Sequence, residues 1–152
     1  MKSPCLLSLI IILFLISGAG LGISAYLFWP VRQTQSPGFG PLDLWWYGTV
    51  VAIVGSAVCF AGSIMSFIYN CPDGMDWFRF LCGPITLAGA ALCIAAAVLL
   101  GITLNDLIAC GTTCTCQAGF CRLDYFTGAA TGLSGLTVIF GFCCGLSTML
   151  TT

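Results

Sequence analysis

The chain has 152 residues, enough for one domain, and 59% of them are hydrophobic while only 6% are charged. Soluble domains carry about 25% charged residues, so composition points to lipid as the solvent. A net charge of −1 with no His excludes an electrostatic case for nucleic acid, and it removes the commonest general base and metal ligand.

The first apolar segment lies between Lys2 and Arg32. Its start, "MKSPCLLSLIIILFLISGAG", has the basic head and apolar middle of a signal peptide. The run continues through "LGISAYLFW", however, which is too long for a signal core and predicts a retained helix near Cys5–Trp29. Its first half is bulky all round and is expected to face lipid or a partner subunit. The second half, "SGAGLGISA", turns small and is expected to pack inward. The connection Pro30–Asp43 is rich in Pro and Gly and reads as irregular.

A second helix is predicted near Leu44–Tyr69. "NCPDGMD" (Asn70–Asp76) follows, where Pro presets φ and Gly tolerates positive φ. A tight antiparallel hairpin to a third helix, Phe80–Leu104, is therefore expected. The long third loop, residues 105–124, holds a cysteine cluster. A fourth helix is placed at Tyr125–Leu150. Each segment exceeds the ~20 residues that cross ~30 Å of hydrocarbon, and helices satisfy their own backbone polar groups in lipid. The predicted fold is all-α, a single four-transmembrane-helix bundle over residues 1–152. Trp29, Trp45, Trp46, Tyr47, Tyr69, Trp77, Tyr125 and Phe126 sit at segment ends, as an interfacial aromatic belt does.

Small residues recur at heptad spacing within the helices. The second carries Gly48, Ala52, Gly55, Cys59, Gly62 and Ser66. The third carries Cys82, Thr86, Gly89, Cys93 and Ala96. The fourth carries Thr127, Thr131, Ser134, Val138, Gly141, Gly145, Thr148 and Thr152. Lipid gives little hydrophobic drive between helices, so association depends on close backbone approach, which small residues permit. A 3.5-residue repeat implies left-handed packing. The seams serve packing within the bundle, or one of them docks a partner helix.

Lys2, Arg79 and the N-terminal amine lie on one side of the membrane, with Arg32 and Arg122 on the other. This slight bias puts both termini in the cytosol and the third loop outside, as in a multi-pass protein of the plasma membrane that arrives by the secretory pathway. In that oxidising compartment Cys110, Cys114, Cys116 and Cys121 are expected to staple the loop with two disulfides. A Cys114–Cys116 bridge would be too tight, so the pairing is crossed or nested. A metal site and free thiols are the alternatives, because Cys-x-Cys also suits soft metals. Gln117, Phe120 and Arg122 are the candidate partner surface on this loop. Cys59, Cys93, Cys143 and Cys144 read as small packing residues. Cys5, Cys71 and Cys82 lie near the opposite face and are palmitoylation candidates.

This layout of four helices, a short cytosolic hairpin and a stapled outer loop resembles the claudin-like tetraspans. The resemblance is one of topology: residues 30–43 contain no Trp and no Cys, so no claudin loop residue is carried over. The small-residue seams, the lack of ionisable groups at depth and the stapled outer loop lead to the expectation of a non-enzymatic scaffolding or auxiliary subunit, or a junction-type component, of a larger membrane assembly. With no carboxylate inside any apolar run, an enzyme is not expected. Neither is a cofactor, a nucleic acid or a small-molecule substrate. The expected partners are the lipid bilayer and other membrane subunits or further copies of the chain. An oligomeric channel is the alternative, with the Thr- and Ser-rich fourth helix lining a pore. Metal or redox handling by the Cys110–Cys121 loop is a further one.

Overall fold

The structure is a computed structural model, which describes residues 4–34, 40–70, 79–110 and 123–150. They form four helices: α1 (Pro4–Thr34), α2 (Gly40–Asn70), α3 (Arg79–Cys110) and α4 (Leu123–Leu150). All four contain a stretch long and apolar enough to cross a membrane: Cys5–Phe28, Tyr47–Tyr69, Phe80–Asn105 and Tyr125–Leu150. None of these stretches contains a charged side chain.

The helices outrun the apolar segments. α1 continues through Pro30 to Thr34, and α2 already begins at Gly40. The connection read as irregular over Pro30–Asp43 is thus helical at both its ends. A Pro in the first turn of a helix costs little, because the missing N–H would have no intrahelical partner there, and Pro41 sits in that position in α2. α3 likewise runs to Cys110, so the third loop starts later than residue 105. With 31 or 32 residues each, the first three helices are roughly 46–48 Å long at ~1.5 Å per residue. They therefore pass well beyond the hydrocarbon. Pro84 interrupts the ladder of α3 near its start. It is exposed, and a membrane helix tolerates the one carbonyl it frees.

Packing follows chain order. α2 lies on α3, α3 on α4, α1 on α2, and α1 closes the ring on α4. The α2–α3 interface is the most extensive, and α2 barely touches α4. Its register is set by glycine. A Cβ added at Gly55 would lie 3.1 Å from the Cys93 backbone nitrogen, and one at Gly89 would lie 2.9 Å from that of Cys59. At Gly62 it would strike Thr86, and at Gly48 it would meet Leu99 and Leu100 at 3.1 Å. As the α2 position advances, the α3 partner recedes by the same step, as an antiparallel pair requires. Dispersion falls steeply with distance, so this backbone contact supplies attraction that bulkier seams could not.

α1 departs from expectation. Its bulky first half does not simply face lipid: Leu6, Ile10 and Leu13 are buried, and with Ser17, Gly20, Ser24 and Leu27 they form one inward heptad stripe. Ile11, Phe14 and Leu15 point outward. Leu6, Ile10 and Leu13 pack here into one cluster with Tyr69 and four cysteines. The other end is closed by Leu27, Ala52, Ala96, Leu100 and Ala130. Tyr69 is therefore a core residue at 2% exposure rather than part of an aromatic belt, whereas Tyr47 and Tyr125 are about as exposed as the belt requires, at 59% and 63%.

Candidate functional site

Every buried polar side chain among the described residues is a Ser or a Thr. Six of these twelve, and the half-buried Thr131, donate to a carbonyl of their own helix. Ser17 donates to the Leu13 carbonyl at 2.6 Å, Thr86 to Cys82 at 2.8 Å, Thr103 to Leu99 at 2.9 Å and Ser63 to Phe60 at 2.7 Å. On α4, Thr131, Thr137 and Thr148 donate to the carbonyls of Thr127, Leu133 and Cys144 at 2.7–2.8 Å. Back-bonding of this kind lets a hydroxyl occupy a small seam position without an unpaired donor. The hydroxyl oxygens of Ser24, Ser56, Ser66 and Thr127 are buried without a hydrogen-bond partner.

Thiols make up half of one of the two core clusters. Cys59 on α2, Cys82 and Cys93 on α3, and Cys144 on α4 are each wholly buried and belong to one cluster. The Cys59 thiol donates to the Thr86 carbonyl at 3.9 Å across the α2–α3 seam. Cys59 and Cys93 lie 4.4 Å apart and remain free thiols. Among the described residues, no three His, Cys, Asp or Glu side chains converge as a metal site would need.

The small residues singled out in the sequence occupy the interior: Gly48, Ala52, Gly55, Cys59, Gly62 and Ser66 on α2, and Gly141 and Gly145 on α4, are all buried. Gly141 faces Ala90 at 3.1 Å, and Gly145 faces Leu87 at 2.9 Å. The cysteines named as packing residues divide. Cys59, Cys93 and Cys144 are buried, but Cys143 is exposed on the outer side of α4, because consecutive residues lie about 100° apart around a helix. Of the palmitoylation candidates, Cys5 is exposed while Cys82 has no exposed surface. Cys71, the loop cysteines Cys114, Cys116 and Cys121, and the surface candidates Gln117, Phe120 and Arg122 lie outside the described residues. Cys110 ends α3, with its side chain outside the described set.

A second glycine stripe went unread in the sequence. Gly128, Gly132 and Gly135 each follow by one residue the inward positions Thr127, Thr131 and Ser134. Gly132 is exposed and Gly135 half-buried, and a Cβ at either would meet nothing within 4 Å. Their spacing, four then three, was the available signal, masked by the adjoining stripe of equally small residues.

No known family model, curated protein or solved structure matches this chain.

Proposed function

We propose that the protein is a non-enzymatic tetraspan that joins or scaffolds a larger membrane assembly, as an auxiliary or junction-type subunit. The supporting observation is the stripe Gly128–Gly132–Gly135, where an added Cβ at Gly132 or Gly135 would meet nothing within 4 Å among the described residues, while one at Gly128 would lie 3.6 Å from Leu104. Within lipid, such a face is what a partner helix needs in order to approach closely. Three of the α4 hydroxyls that would line a channel, those of Thr131, Thr137 and Thr148, instead donate to their own helix, which favours a packing role for that helix over a conducting one. In this reading the plasma membrane is the location, the termini are cytosolic, and the disulfide-stapled third loop, with Gln117, Phe120 and Arg122, adds an external contact surface.

The test is cross-linking in native membranes before extraction, followed by purification in mild detergent. A defined complex, with either other subunits or further copies of this chain, is expected. A chain recovered only as a monomer overturns the proposal.

A further inference from the structure

Cys59 and Cys93 face each other because each lies opposite a glycine of the other helix. A Cβ at Gly89 would sit 2.7 Å from the Cys59 sulfur, and one at Gly55 would sit 3.0 Å from the Cys93 sulfur. Each thiol therefore fills the room that the facing glycine leaves, and both sulfurs lie in the α2–α3 contact, 4.4 Å apart. A disulfide requires about 2.05 Å, so the two are separate groups. A metal–sulfur bond measures about 2.3 Å, and two of them laid end to end span about 4.6 Å. The observed gap thus suits a single ion held between two sulfurs.

The surroundings narrow the choice of ion. Zinc takes four ligands in a structural site, and no third His, Cys, Asp or Glu among the described residues joins this pair to form such a group. Thiolate donors select soft cations such as Cu(I), which accepts two sulfurs in line. Charge agrees as well. When Cu(I) enters, one thiol loses its proton to the aqueous phase; the other keeps its own and binds through a sulfur lone pair. The product, one thiolate, one thiol and one monovalent cation, is neutral. It therefore avoids the cost of burying a net charge in an apolar interior.

We propose that Cys59 and Cys93 form a buried two-coordinate binding site for a soft monovalent metal cation, Cu(I), between α2 and α3. The full-length protein, reduced and kept anaerobic in detergent, is titrated with Cu(I) against a chromogenic Cu(I) chelator. Cys59→Ser and Cys93→Ser are compared with Cys143→Ser, which changes an exposed thiol, and circular dichroism verifies the helices of each. The unmodified chain should bind one copper more per chain than either Cys59→Ser or Cys93→Ser, and the same number as Cys143→Ser plus whatever the exposed Cys143 itself holds. A second reading uses the unmodified chain alone: Cu(I) loading should slow alkylation of Cys59 and Cys93 by a lipid-soluble maleimide at least tenfold, with no such effect at Cys143. Equal copper in all chains, unaltered alkylation of the pair, or a Cys59–Cys93 disulfide in the isolated protein would each overturn the site.

Discussion

The α2–α3 seam and the outer stripe of α4 are built from the same residue, yet they stand in opposite conditions. In the seam every glycine is spoken for: Gly55 and Gly89 press on the backbone of Cys93 and Cys59, and Gly62 on Thr86. On α4, Gly132 and Gly135 press on nothing. Glycine weakens an isolated helix by about 1 kcal/mol relative to alanine. In the seam that cost is offset by backbone contact with the neighbouring helix. At Gly132 and Gly135 no contact among the described residues offsets it. The difference teaches that glycine content alone does not locate a helix contact; what matters is whether a neighbour already fills the space.

The sharpest way to break this contrast is to fill both kinds of space with the same side chain. Gly89→Leu would drive a side chain into the Cys59 backbone. Overpacking costs about 1–3 kcal/mol even where atoms can shift, and backbone cannot give way as a rotamer does. The expected outcome is loss of the folded bundle, read as a collapse of the thermal transition in detergent by circular dichroism. Gly55→Leu should behave alike.

A smaller effect separates the two sides of α1. Leu13→Ala empties a fully buried position, whereas Leu15→Ala trims a side chain that is 63% exposed. Leu→Ala costs about 2–5 kcal/mol in a water-soluble core, and less is expected in lipid, where the transfer part of that cost falls away. A clear drop in thermal stability is expected for Leu13→Ala, with almost none for Leu15→Ala. Equal effects would show that the first half of α1 does not pack inward.

The smallest effect concerns the hydroxyls. Replacing Thr131, Thr137 and Thr148 together by Val keeps shape and removes only bonds to their own helix. Each is expected to change stability by less than about 1 kcal/mol, and complex formation should persist. If the chain conducts ions in a purified bilayer and this triple variant abolishes the current, the hydroxyls line a path and the packing account of α4 fails.

These contrasts also mark what the sequence could reveal. Four spans were legible because hydrocarbon thickness sets a length that charged residues then punctuate, and the positions bounded by Lys2, Arg79 and Asp124 lie close to the helix ends. The α2 and α3 seams were legible because only small residues repeat there against a bulky background. The inward stripe of α1 was not, since Leu6, Ile10 and Leu13 sit among equally bulky neighbours and lipid rewards no polar face that would single them out. Helix ends at Thr34, Gly40 and Cys110 escaped for another reason: once outside the hydrocarbon, a helix continues until capping or turn chemistry stops it, and hydropathy carries no signal of that. The outer α4 stripe was lost beside its inner twin, one residue away. Which stripe meets a neighbour is a property of the fold.

The most direct test of the account is the association state, in native-like membranes, of a chain carrying Gly132→Leu and Gly135→Leu. Fluorescence transfer between labelled copies, or between a labelled copy and a co-purifying subunit, reads association, while the thermal transition reads the bundle. The account predicts an unchanged transition with association lost or reduced at least tenfold. Association that survives undiminished in a folded double variant would contradict it.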